Sequence, residues 1–81
     1  MLEKSLGIVL RRLRAKKGLS QEAFGFEVNL HRTYISQLER GLKSPSLNTL
    51  SRICRTLKVT ISELLLIVER EEKKGDVLFS V

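Results

Sequence analysis

Apolar residues along this chain recur at helical spacing and almost never alternate. Leu2, Leu6, Val9, Leu10 and Leu13 fall three and four residues apart, which places them on one face of a helix. Arg11, Arg12, Arg14, Lys16 and Lys17 lie mostly off that face. Gly7 inside the pattern weakens the helix by up to ~1 kcal/mol relative to Ala. Gly18 is a left-handed stop, and Leu19 folds back on the last turn. Ser20 then reads as an N-cap, with Gln21 and Glu22 opening a short second helix whose apolar face is Phe24 and Val28. Asn29 tolerates the left-handed region best after Gly. A third helix begins near His31, carries a narrow stripe of Ile35 and Leu38, and ends at Gly41. After the loop Leu42-Lys43-Ser44-Pro45, Ser46 caps a fourth helix with apolar Leu47, Leu50, Ile53, Cys54 and Leu57. Thr60-Ile61-Ser62-Glu63 fits a capping box and opens a fifth helix running to about Lys74, where Gly75 stops it.

This pattern predicts an all-α fold: a compact five-helix bundle in a single domain, residues 1–74. The remaining tail, 75–81, is apolar at Val77-Leu78-Phe79 and either extended or frayed. No strand pairing is needed to bury the core.

Helices two and three are separated by only a few residues around Asn29. So tight a joint sets two helices at a steep angle, the helix-turn-helix arrangement. Gly25, four positions after Gln21, points the same way, because a side chain there would push the next helix away. The third helix then presents Arg32, Thr33, Ser36, Gln37 and Arg40 on one face, opposite Ile35 and Leu38. All five are polar and none is acidic, whereas an ordinary solvated helix face mixes signs.

Charge turns that face into a functional expectation. The chain has 15 Lys+Arg against 9 Asp+Glu, a formal net charge of +6. The excess lies before residue 59, and the remaining segment is net acidic and strongly apolar. A small basic domain points first to a polyanion. A helix fits the major groove of B-form DNA, where Arg pairs with guanine, Gln with adenine, and Thr touches the thymine methyl. Arg32, Thr33, Ser36 and Gln37 are therefore the expected base contacts. Ser20 and Gln21 at a helix N-terminus, and Arg40, Lys43 and Ser44 around the end of helix three, are expected at the DNA backbone. His31 stands where a Ser or Asp cap is usual, which predicts a poorer cap; it either lies against a phosphate or is simply exposed. Tyr34 either reaches the DNA or packs on the next turn.

The fifth helix has a different character. Ile61, Leu64, Leu65 and Val68 take the core side, and Leu66 and Ile67 then point outward. Apolar residues on two faces require burial on two sides, and a second copy in a two-fold contact satisfies that. Leu66, Ile67 and Arg70 are the expected dimer interface, to which the tail could add.

The residues now resemble a known family. Gly18-Leu19-Ser20-Gln21-Glu22, Thr33-Tyr34-Ile35-Ser36-Gln37-Leu38-Glu39-Arg40-Gly41, and Pro45-Ser46-Leu47 with Thr49-Leu50 are similar to the Cro/phage-repressor, or xenobiotic-response-element, helix-turn-helix family, from about residue 6 to residue 66. The run Asn29 to Ser36 looks most like restriction–modification controller proteins and related small regulators. The resemblance implies a lambda-repressor-like DNA-binding domain, dimeric binding to a palindromic operator, and transcriptional control. It also implies a structural ion pair between Arg14 and Glu39 that orients helix three. An antitoxin that binds a toxin and its own promoter is the alternative reading, disfavoured by the short tail.

Other classes have little to rest on. One Cys and one His argue against a disulfide or a metal cluster, and no cofactor or small-molecule ligand is implied. No nucleophile, base and orienting group come together, so an enzyme is not expected. No apolar run reaches the ~18 residues of a membrane span, and the start lacks a signal-peptide layout, which predicts a cytoplasmic protein. Cys54 reads as a small buried hydrophobe, Phe24 as core, Phe26 as partly exposed, and Arg52, Arg55 and Lys58 as the solvated face of helix four.

Overall fold

A computed structural model describes the backbone of residues 2–79, and the side chains through residue 74. It contains five helices: α1 (Leu2–Lys16), α2 (Gln21–Val28), α3 (Arg32–Glu39), α4 (Leu47–Leu57) and α5 (Ile61–Phe79). α1 packs on α3 and α5, α2 on α3 and α4, and α4 on α5. One core fills the centre, with Val9 and Leu10 from α1, Phe24 and Val28 from α2, Ile35 and Leu38 from α3, Leu50, Ile53, Cys54 and Leu57 from α4, and Leu64 and Val68 from α5.

The starts of α2, α4 and α5 are fixed by chemistry visible in the sequence. Ser20 Oγ accepts from the Ala23 N–H at 3.0 Å, and Ser46 Oγ from the Thr49 N–H at 3.1 Å. Thr60 and Glu63 form the reciprocal box: Glu63 N–H donates to Thr60 Oγ1 at 3.0 Å, and Thr60 N–H to Glu63 Oε1 at 2.8 Å. Those bonds hold the Glu63 carboxyl below its ordinary range, the backbone N–H of Thr60 contributing most.

The α2–α3 joint depends on two residues. Asn29 takes the left-handed conformation at φ 57°, and Leu30 N–H then donates back to the Gly25 carbonyl at 2.8 Å. A Cβ on Gly25 would stand 2.6 Å from the Leu30 carbonyl oxygen, inside the closest approach two such atoms make. A bare Cα at this position is what lets the chain turn so sharply into α3.

Several expectations are corrected. Gly75 does not stop the last helix: α5 continues through it to Phe79. A single interior glycine costs about 1 kcal/mol, and no proline follows to block the helix. The predicted extended or frayed tail is therefore helical to Phe79; the position of its side chains, and residues 80–81, lie outside the described structure. Leu2 and Leu47 are exposed rather than part of their helices' inner faces, and Phe26 is 87% exposed. In α1 the buried position near the start is Ser5, whose hydroxyl donates to Glu72 on α5. Lys58 takes the left-handed cap after α4, at φ 58°, and is exposed as expected.

α5 also turns differently from the expectation. Leu64 and Val68 are buried, Ile67 packs partly against the core, and Leu65 is 43% exposed. At 100° per residue, Ile67 returns to within about 60° of Leu64, whereas Leu65 is about 100° away. The outward apolar pair is thus Leu65 and Leu66, the latter 48% exposed.

Candidate nucleic-acid interface

The first turn of α2 and the whole outer face of α3 come together on one side of the molecule. Gln21, His31, Arg32, Thr33, Ser36, Gln37 and Arg40 line one shallow concavity. No carboxylate is among them. An adjoining hollow is lined by Arg14, Ser20, Gln21, Glu22 and Arg32, so Gln21 and Arg32 belong to both. Arg32, Thr33 and Arg40 are exposed, while Ser36 and Gln37 are half-buried nearer the helix body.

Behind this surface lies an ordered ion pair. The Arg14 guanidinium meets the Glu39 carboxylate side-on, Nε to Oε2 at 2.6 Å and Nη2 to Oε1 at 3.0 Å. Arg14 Nη1 also donates to the Leu19 carbonyl at 2.7 Å. Both partners are largely enclosed, with side-chain exposures of 12% and 3%. Glu39's hydrogen bond raises the Arg14 pKa against the opposing effect of burial. The pair ties the end of α1 and the turn after it to the last residue of α3.

Gln21 joins that arrangement. Its Nε2 donates to Glu39 Oε1 at 3.0 Å. An amide nitrogen carries two hydrogens, so one is committed to Glu39 and the other remains to serve an anion. The sequence placed Gln21 at a helix N-terminus without revealing this tether.

His31 differs from its expected role as a weak start. Its Nδ1 accepts from the Thr33 N–H at 3.1 Å, so it is the side-chain cap of α3. Tyr34 packs partly against the core. Lys43 and Ser44 stand apart from the α3 concavity, in an exposed loop beside Glu3, Lys4, Gly41 and Leu42. Lys4 at this place was not foreseen. Nor was Gly7: a Cβ there would stand 2.5 Å from the Glu39 carbonyl oxygen and 2.6 Å from that of Leu38. An isolated glycine inside a helical pattern was the available signal of such close contact.

Leu66 and Arg70 are exposed on α5, together with Leu65. Arg12 and Glu71 form an ion pair at 3.0 Å between α1 and α5. Among the described residues, no cluster of His, Cys, Asp and Glu is arranged to hold a metal ion, and no helix is long and apolar enough to cross a membrane. Cys54 is buried, and burial raises its thiol pKa.

A helix-turn-helix family profile matches residues 10–64. The chain belongs to the Cro/repressor-type helix-turn-helix family. This helix-turn-helix protein is 43% identical over 60 residues to control protein C.BamHI of Bacillus amyloliquefaciens, covering 73% of this chain and 74% of that one. It is 42% identical over 66 residues to control protein C.MunI of a Mycoplasma species, covering 80% and 89%. Among solved structures it is similar to the restriction–modification controller protein C.Esp1396I, crystallised as a tetramer with its natural 35 base-pair operator. That likeness has a TM-score of 0.78 at 30% identity and covers 88% of this chain and 93% of the other.

Proposed function

We propose that this helix-turn-helix protein is a sequence-specific, DNA-binding transcriptional regulator that acts in the cytoplasm as a homodimer on a palindromic operator. The observation that carries this reading is the acid-free concavity joining Gln21 to the outer face of α3. α3 enters the major groove, and Arg32, Thr33, Ser36 and Gln37 read base edges. Ser20, Gln21, His31, Tyr34, Arg40, Lys43 and Ser44 hold the phosphate backbone on either side. The Arg14–Glu39 pair keeps α3 in place behind them.

Dimerisation follows from α5. Leu65 and Leu66 are exposed, and with Arg70 they form the seam. A two-fold contact would set two α3 helices ~34 Å apart, one turn of B-form DNA. Residues 1–74 supply the reading domain.

The similar proteins are controllers and a controller–operator assembly, which favours the regulator over the antitoxin reading. The test is selection of bound duplexes from a random pool, with the mass of the complex measured. A symmetric enriched sequence carrying two or a multiple of two chains is expected. Binding without any enriched sequence would overturn the reading.

A further inference from the structure

The nitrogen by which His31 caps α3 settles the chemistry of its ring. Nδ1 faces the Thr33 backbone N–H at 3.1 Å, and an N–H only donates. Nδ1 therefore carries a lone pair, and the proton of the neutral imidazole is on Nε2. The His31 backbone is extended, at φ −66° and ψ 144°, as an N-cap requires. Its carbonyl accepts from the N–H groups of Tyr34 and Ile35, at 3.0 and 3.1 Å. One residue thus holds, by side chain and backbone together, the turn that bears Arg32 and Thr33.

The ring is exposed and shares its concavity with Gln21 of α2 and with Arg32, Thr33, Ser36, Gln37 and Arg40. The charged groups there are the two guanidiniums of Arg32 and Arg40. The adjoining hollow brings Arg14 and one carboxylate, Glu22; Glu39 is turned toward Arg14. A doubly protonated imidazole has two donors and no acceptor. It could not accept from the Thr33 N–H, so the cap requires a bare Nδ1.

We propose that His31 is a positioning residue for the base-reading turn: its Nδ1 lone pair caps α3, which leaves Nε2–H as the ring's donor toward DNA. The proposal rests on the DNA-binding reading, and it assigns Nε2–H as the donor for His31's backbone contact.

The tautomer is read without DNA, by imidazole nitrogen NMR of the whole chain at about pH 7.5. A protonated Nε2 and a bare Nδ1 are expected; a protonated Nδ1 overturns the proposal. Binding is then measured to the duplex selected from the random pool. His31→Ala is expected to bind about fivefold more weakly and to discriminate less against a scrambled duplex. His31→Asn, whose Oδ1 restores the cap acceptor but which lacks Nε2–H, is expected to recover discrimination against the scrambled duplex while binding both duplexes more weakly than the parent chain. At about pH 7.5 the parent and His31→Asn should show the same slope of log affinity against log salt, because a neutral ring releases no counterion. A slope smaller by about 0.9 in the variant would identify a cationic contact and overturn the proposal. Failure of any duplex to enrich removes the DNA-binding reading and this role with it. A protonated Nδ1 in a chain that binds its selected duplex normally removes the proposal alone.

Discussion

Arg14 and Glu39 meet side-on through two hydrogen bonds, 2.6 and 3.0 Å long, where the carboxylate is almost completely enclosed. Glu39 also accepts from Gln21, so one buried carboxylate joins the end of α1, the start of α2 and the end of α3. Removing one partner strands the other charge in a place it cannot leave. Arg14→Met should therefore destabilise the fold by about 3 kcal/mol or more, whereas replacing both residues by apolar ones of similar size should recover much of the loss. Urea unfolding of the two singles and the double would show this as strong non-additivity. Additive, surface-like effects would contradict the structural role assigned to the pair.

Gly7 lies against the same end of α3. Replacing an interior helical glycine by alanine ordinarily stabilises by up to about 1 kcal/mol. Here the added methyl would face the carbonyl oxygens of Leu38 and Glu39, both backbone atoms. Gly7→Ala should reverse the usual sign and destabilise by about 1–3 kcal/mol, the range for overpacking. Thermal unfolding would register the change. A gain in stability would mean that α1 can retreat from α3 without penalty.

The Thr60–Glu63 box gives the fold an acid dependence. Glu63 titrates below its ordinary value of 4.5, first because the Thr60 N–H bonds its carboxylate and second because the Thr60 hydroxyl does. A lowered folded-state pKa means that stability from this bond is fully present above about pH 4.5 and is lost as pH falls through the folded value. Glu63→Gln, which keeps an acceptor but cannot be neutralised, should show a shallower fall in stability below that point. Parallel acid-unfolding curves for parent and variant would remove Glu63 from the account.

Legibility in the sequence followed the range of the interaction. Ser20, Ser46 and the Thr60–Glu63 box act on backbone three residues away, and Asn29 acts on its own dihedrals, so these were readable from local spacing. The α3 face needed only helical periodicity. Local spacing shows Gly7 only as a helix weakness, because its neighbours are the carbonyls of Leu38 and Glu39, far along the chain. Gln21's bond to Glu39 has the same origin. The rotation of α5 was off by one position because a continuous run from Leu64 to Val68 carries no polar marker of its outer side. Gly75 was overweighted for a related reason: a local stop signal does not outweigh a helix that continues on both sides of it.

On α5, Leu65 and Leu66 project away from the core that Leu64 and Val68 fill. A charge at Leu66 should therefore spare the monomer fold and oppose association. Leu66→Glu is expected to keep the parent's helical content and to shift the mass in solution from two chains to one. It should also weaken binding to a symmetric duplex, because the second α3 no longer arrives with the first. Light scattering with circular dichroism would test both parts. A Leu66→Glu chain that remains dimeric would place the seam elsewhere.

Arg32 and Lys43 offer a test that tells base reading from backbone holding. Arg32 is exposed at the first turn of α3, inside the concavity shared with Gln37 and Arg40, whereas Lys43 lies in the loop beside Lys4. A base contact loses affinity only for the sequences that offered the correct edge; a phosphate contact loses it for every sequence. Arg32→Ala should cost about 1–3 kcal/mol on the selected duplex and relax preference at one position of each half-site. Lys43→Ala should weaken selected and scrambled duplexes alike and reduce the salt slope by about 1 per chain in contact. Comparing both variants on both duplexes over a salt series distinguishes the two roles. Equal losses from Arg32→Ala on both duplexes would remove it from the reading face and leave it as a backbone contact.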